Sequence, residues 1–136
     1  MSKTSGLGAA IAVGDHSGSA QTITNDVTNF TMSTPYAVQD ITGVDKSAHE
    51  RLLLLADGSV SLSGVFNPAA NMSHAVFSVM GVNRTTKITP TSNSTPYLSM
   101  VCLFTDYSLS RSATGELPWT APGQLADGTV PSWTNS

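Results

Sequence analysis

Charge is the scarcest commodity in this sequence. Only 11% of its 136 residues are Asp, Glu, Lys or Arg, against about 25% in an ordinary soluble domain. The six Lys and Arg residues are scattered and the net charge is −3, which argues against nucleic-acid binding through a basic patch. There is one cysteine, Cys102, so no intramolecular disulfide can form. It sits in the apolar run Leu98–Phe104, where a small buried hydrophobe is expected. No apolar stretch approaches the ~18 residues of a membrane-spanning helix. The first residues, Met1-Ser-Lys-Thr-Ser-Gly6, carry no apolar core of a secretion signal, and the expectation is a chain folded inside a cell. Internal repeats and shifts in composition are also missing, which points to one domain over 1–136, with a flexible N-terminal arm (1–8) and a C-terminal segment (118–136).

What replaces charge is hydroxyl: the chain has 19 Ser and 17 Thr. Such a surface is polar but weakly repels copies of itself, and Ser/Thr-rich strands suit sheets. Hydrophobic residues make up 40% of the chain, enough for a packed core.

The clearest local signal lies between Asp57 and Gly81. Val60, Leu62, Gly64 and Phe66 alternate with Ser59, Ser61 and Ser63, the period of a half-buried strand. Asp57-Gly58, following the run Leu52-Leu53-Leu54-Leu55, predicts a tight hairpin joining two strands. Asn67 is placed to cap a helix and Pro68 to occupy its first position. Met72, Ala75, Val76, Val79 and Met80 then form one apolar helical stripe, and Gly81 is placed to end it in a left-handed conformation. The expectation is a capped helix of about three turns, near the mean helix length.

Elsewhere the pattern is of short strands: 9–13, 21–24, 30–32, 36–42, 85–89 and a long candidate from Tyr97 to Ser110. The most charged segment, Val44 to Arg51, reads as an exposed loop, and Arg111–Gly115 as a turn. Asp127-Gly128 predicts a further hairpin, and Trp119 and Trp133 stand as isolated aromatics. Many strands, close turns and one helix indicate a mainly β chain, a β-sandwich or barrel with one flanking α-helix.

Chemistry is hard to find. Asp15-His16-Ser17 holds the residue types of a catalytic triad, but adjacent residues cannot converge as triad members must. His16, His49 and His74 have no metal-like spacing. No nucleophile–base or acid–base pair emerges, so the chain reads as non-enzymatic, with no cofactor or metal. Asp45, Lys46, Glu50 and Arg51 form a mixed-sign cluster that, with His49, suits an oriented contact between subunits, because mixed charges fix register more than affinity.

Three stretches carry a family resemblance: Asp40-Ile-Thr-Gly-Val-Asp-Lys-Ser-Ala-His-Glu-Arg51, Ala56-Asp-Gly-Ser-Val-Ser-Leu-Ser-Gly-Val-Phe-Asn-Pro-Ala69 with Ser73-His74-Ala75-Val76, and Tyr107-Ser-Leu-Ser-Arg-Ser-Ala-Thr-Gly-Glu-Leu117. In order and spacing the set resembles the tail tube (major tail) proteins of long-tailed phages, especially those infecting actinobacteria. Leu52–Leu55 departs from the pattern, where glycine or charge is expected. The resemblance implies a tail tube fold and self-assembly into stacked, hexameric rings enclosing a conduit for DNA, without specific DNA binding. It also implies a tape measure protein and tail-end proteins as partners, no membrane, residence in the virion tail and synthesis in the host bacterial cytoplasm. The stacking elements it suggests are the loop from Ser33 to Glu50, the N-terminal arm and the C-terminal segment. Contact candidates are Asp45, Lys46, His49, Glu50, Arg51 and Trp133. Asn67, Pro68, Met72, Val76 and Gly81 are assigned to the helix and its caps. Two other readings remain: another virion β-sandwich, such as a head decoration or tail-completion protein, and a carbohydrate-binding β-sandwich using Trp119 and Trp133.

Overall fold

The computed structural model describes residues 5–15, 17–126 and 128–135. The strands are β1 (Ala10–Gly14), β2 (Ala20–Thr22), β3 (Val27–Ser33), β4 (Tyr36–Asp40), β5 (Arg51–Ala56), β6 (Ser59–Val65), β7 (Arg84–Thr89), β8 (Tyr97–Phe104), β9 (Ser108–Leu109), β10 (Pro118–Leu125) and β11 (Ser132–Thr134). The helix α1 spans Ser73–Phe77. The expectation of a mainly β chain with one helix is met.

Nine strands form one antiparallel sheet in the order β2-β1-β7-β8-β10-β6-β3, with β11 added to β8 and β9 to β10. The edge strands β2 and β3 are separated in sequence by only residues 23–26, which contain a 3-10 turn at Thr24–Asp26. That turn is tied to β1: the Ile23 N–H donates to the Ile11 carbonyl at 3.0 Å and the Ile11 N–H donates to Thr24 Oγ1 at 3.0 Å. So short a link can join opposite edges only if the sheet curls over on itself. Its inner face carries the core: Ile11, Val13, Ile23, Val60, Leu62, Ile88, Leu98, Met100, Cys102, Phe104, Trp119 and Ala121, with Val76 and Phe77 of α1.

The alternation in β6 is as expected, with Val60, Leu62 and Gly64 buried between more exposed serines. Gly64 is required by close approach as well as by pattern. A Cβ there would stand 1.8 Å from the Asp26 carbonyl oxygen, where β3 runs past with a bulge.

The Asp57-Gly58 hairpin does not form. β5 pairs with β4, while β6 pairs with β3 and β10. The reason is Gly58, which is buried against Met100, Leu125 and Pro131 and whose carbonyl accepts the Leu125 N–H at 2.8 Å. That bond prolongs the β6–β10 ladder, so the dipeptide turns the chain from one sheet into another instead of closing a hairpin. The second expected turn, at Asp127-Gly128, involves a residue outside the described ones, and β11 pairs with β8.

The helix is shorter than its sequence pattern predicts. Asn71 adopts a left-handed conformation (φ 63°), which prevents a helix from running through from Pro68. The Asn67 side chain does not cap α1. It accepts the Ala69 N–H at 3.0 Å and donates to Asp26 Oδ1 at 2.8 Å. Met72 occupies the cap position without a side-chain bond. Gly81 has the positive φ expected of it (92°), but it lies beyond α1 in an exposed connection. Val76 is fully buried, whereas Val79 and Met80, assigned to the same stripe, are exposed.

The segment from 118, read from sequence as Pro- and Gly-punctuated and as a stacking element, begins with β10, an interior strand of the sheet. Pro118 is the first residue of β10, a position that proline tolerates, and Pro122 lies outside the stretch of β10 that pairs with β8, its carbonyl accepting the Thr105 N–H at 3.1 Å.

Candidate assembly surface

β4 and β5 form a two-stranded sheet of their own, separate from the nine-stranded one. The root of this arm is closed by the Asp57 N–H donating to the Pro35 carbonyl at 2.8 Å. Its tip is the loop 41–50, which contains most of the contact candidates named from sequence. The loop is held by its own polar groups. The Asp40 carboxylate accepts the Thr42 N–H at 2.9 Å and the Thr42 hydroxyl at 2.5 Å. The Glu50 N–H donates to Thr42 Oγ1 at 2.8 Å, and the Ile41 N–H to the Glu50 carbonyl at 3.0 Å. These bonds, the Thr42 hydroxyl foremost, hold the Asp40 carboxyl below the usual carboxylate range, and His49 adds to the effect.

Within the loop Lys46 Nζ lies 3.9 Å from Asp45 and 4.0 Å from Glu50, and His49 Nδ1 lies 3.3 Å from Asp40 Oδ2. Arg51 begins β5, directly opposite Asp40. Exposed pairs like these contribute little to stability, but they give the tip a fixed pattern of both signs. Trp133 is elsewhere, on β11 opposite Leu98, and is 44% exposed.

The arm is also where apolar surface meets water. Tyr36, Val38, Ile41, Val44, Leu52, Leu53, Leu54 and Leu55 are all exposed. An isolated two-stranded hairpin is marginal in water, and exposed apolar residues gathered on one element point to an interaction surface.

Comparison with solved structures then identifies the architecture. The fold is shared with a tail protein. The chain superposes on one from the tail of an empty gene transfer agent particle of C6 symmetry with a TM-score of 0.72, 20% identity, and coverage of 98% of this chain and 99% of the other. A chain from the virion of a native gene transfer agent particle gives 0.70 and 19% identity, covering 97% and 99%. No family model and no curated protein matches the sequence. The tail tube fold implied by the motif resemblance is therefore the fold observed, and it extends over nearly the whole length of both matched chains.

Two groups that hold the tail-protein fold together escaped the sequence reading. Asp26, buried, accepts the Ser73 N–H that opens α1 at 3.0 Å. Arg84, also buried, donates from Nη1 to the carbonyls of Val76 (2.5 Å) and Gly14 (3.1 Å) and from Nη2 to that of Val79. An acid at the start and a base at the end is the favourable sense for a helix dipole. Both residues come from distant elements, and no local sequence signal marks them.

Trp119 is not an isolated aromatic. It is 1% exposed, lies 5.3 Å from Phe77 and 6.0 Å from Tyr107 between ring centroids, and donates Nε1–H to the Val65 carbonyl at 3.0 Å. A buried ring cannot serve as a sugar platform, so the carbohydrate-binding reading keeps only Trp133. His74 is half-buried in the same region, its ring 5.0 Å from Phe66 and its Nδ1 3.4 Å from the Tyr107 hydroxyl. His16 lies outside the described residues. Among the described residues there is no cluster of three metal-ligating side chains, and no helix is long and apolar enough to cross a membrane.

Proposed function

We propose that this chain is a non-enzymatic structural subunit of a long-tailed virion's tail tube. It assembles head-to-tail into closed, hexameric rings that stack along the tail and enclose the conduit for DNA ejection. One observation carries this reading: a tail-protein fold bears an apolar arm, β4–β5, that the subunit leaves uncovered. A neighbour in a repeating assembly removes that surface from water, and a heterologous contact that closes around one axis and repeats along it makes a tube. The low charge supports the same reading, since copies repel weakly. The acidic balance supports passage of DNA without retention, because a lumen that bound phosphate strongly would hold the genome. The tape measure protein and tail-end proteins are the further partners this role requires. The chain is made in the host bacterial cytoplasm and resides in the virion tail.

Negative-stain microscopy of the concentrated, purified protein tests the proposal. Rings and open-ended tubes are the expected result. A strictly monomeric particle under every condition overturns it. A single ring or trimer that never extends transfers the chain to the class of head decoration or tail-completion proteins.

A further inference from the structure

The strands β3, β6 and β10 lie side by side, and their registers align residues in rows across all three. One row runs Asn29, Ser63, Thr120, and another runs Ser33, Ser59, Gln124. Opposed residues share a face and neighbours along a strand alternate. Val60, Leu62 and Gly64, which alternate with the serines of β6, are buried, so the rows make up the outer face of this part of the sheet. Every side chain in them is a hydroxyl or an amide, and most are exposed. The three strands contain no ionisable residue.

Charge is placed elsewhere. It stands at the tip of the arm, at Asp15 after β1, and between β8 and β10 at Asp106, Arg111 and Glu116. The outer face of β7 and β8 carries Lys87, whose Nζ lies 4.2 Å from the centre of the Tyr97 ring. We propose that the outer face of β3, β6 and β10 is the wall of the conduit, an uncharged, hydroxyl-lined surface that neither holds nor repels passing DNA. This rests on the tail tube reading and gives its lumen a surface and a chemistry.

DNA sets one condition on such a wall. A duplex carries one negative charge per ~1.7 Å of its axis, and each phosphate that a lysine neutralises adds to a salt-dependent hold. A wall with one lysine in every subunit would present a lattice of cations along the whole tail. The face with Lys87 fails this condition, and the face of β3, β6 and β10 meets it. Its hydroxyls and amides bond water in both directions, so the wall stays wet without fixing charge. The outside of a tube has the opposite need. Surfaces that meet the medium use charge to keep particles apart, and a neutral face repeated along the exterior would draw tubes together side by side. The charged turns suit the exterior, and the uncharged face suits the lumen.

Thiol labelling of assembled tubes tests the inference. Cys102 is fully buried, and Thr31 and Thr120 are exposed on the proposed wall, so Thr31→Cys and Thr120→Cys each add one accessible thiol. A small maleimide is expected to label both variants equally in tubes and as monomers. A maleimide carried on a polymer too wide for the lumen is expected to react at least tenfold more slowly with tubes than with monomers. Tubes of Thr120→Lys are expected to retain at least tenfold more short duplex DNA than unaltered tubes at ~50 mM salt, and to lose the excess by ~200 mM. If the bulky reagent labels tubes at the monomer rate, the face lies outside and the inference fails. If neither reagent labels tubes, the face is buried between subunits and the inference fails. Equal DNA retention by variant and unaltered tubes also overturns it. In all three cases tubes have formed and the tail tube reading stands. If the unaltered protein forms no rings or tubes, that reading fails, and the inference with it.

Discussion

The Asp26 carboxylate accepts the backbone N–H of Ser73 at 3.0 Å across 47 residues of sequence, and so fixes where the only α-helix among the described residues begins. Its other oxygen accepts the Asn67 amide at 2.8 Å. A helix of five residues cannot hold itself together by propagation, so this long-range anchor decides whether it exists. Asp26→Ala leaves the Ser73 N–H and the Asn67 amide without their acceptor in a buried setting. The expected cost is about 2–3 kcal/mol, the range for hydrogen bonds to a charged group. Urea unfolding with unchanged slope checks it. A loss below about 0.5 kcal/mol means that water replaces the carboxylate and the anchor is dispensable.

Gly64 sits under the same residue. A Cβ at this position would meet the Asp26 backbone oxygen at 1.8 Å and Trp119 at 3.0 Å. The obstacle is backbone, held by the β3–β6 pairing on one side and the 3-10 turn on the other, so it cannot swing aside as a side chain could. Gly64→Ala is expected to cost more than the ~1–3 kcal/mol of ordinary overpacking, enough that the soluble yield collapses. A normal thermal midpoint for the variant shows that β3 can shift outward at little cost.

At the other end of α1, Arg84 answers three carbonyls from two chain segments. Arg84→Lys keeps the charge but loses the planar fork that reaches Val76, Val79 and Gly14 together. It is expected to lose about 1–3 kcal/mol, the cost of leaving buried acceptors unpaired. Arg84→Met leaves all three unpaired and is expected to lose more. Chemical unfolding of the pair, compared with the unaltered chain, ranks them. Equal stability of Lys and Met variants means that packing of the side-chain stem, and not the fork, is what matters.

These anchors mark the limit of what the sequence makes legible. The period-two pattern located β6, and the apolar run around Cys102 located β8, because both are properties of neighbouring residues. The 3.6-residue stripe from Met72 to Met80 over-extended α1, because its length is set by the left-handed Asn71 and by Asp26 and Arg84, which no local window contains. Asp57-Gly58 has the composition of a hairpin turn, and the pairing of Gly58 with Leu125 overrides it. β10 was hidden by Pro118, Pro122 and Gly123, residues that punctuate loops elsewhere and are tolerated here inside a sheet. The charged segment Val44 to Arg51 reads as an exposed loop from composition alone, and it is one except for Arg51, which opens β5. Leu52–Leu55 is visible in the sequence as an oddity, and only the structure shows that it lies in a separate two-stranded sheet with all four leucines exposed.

Acid should loosen the arm's tip before it touches the core. Asp40 is held below its ordinary value of 3.8 by the Thr42 hydroxyl and N–H and by His49. A carboxylate whose folded pKa is depressed lends stability that is complete above the unfolded value and is lost as pH falls through the folded one. The loop is therefore expected to be unchanged from pH 8 to 5 and to open below about pH 4, seen as a shift and broadening of the Thr42 amide resonance. Asp40→Asn is expected to abolish that transition. A Thr42 signal that moves near neutral pH instead assigns the loop's order to a different group.

Lys46 offers the cleanest separation of fold from assembly. It is half exposed and stands between Asp45 and Glu50. Lys46→Glu puts three carboxylates in one short loop and reverses the sign that the tip presents to a neighbour. Exposed pairs of this kind are worth about 0–1 kcal/mol, so the monomer's unfolding midpoint should barely change. A like-charge mismatch at an interface costs several kcal/mol, which raises the concentration needed for tube formation by at least a hundredfold. Sedimentation velocity across a concentration series reads both, the slow species reporting the intact monomer and the fast boundary reporting assembly. Because screening weakens a charge mismatch, raising salt to ~1 M should restore part of the loss. Tubes forming normally at low salt would move the subunit contact off this loop.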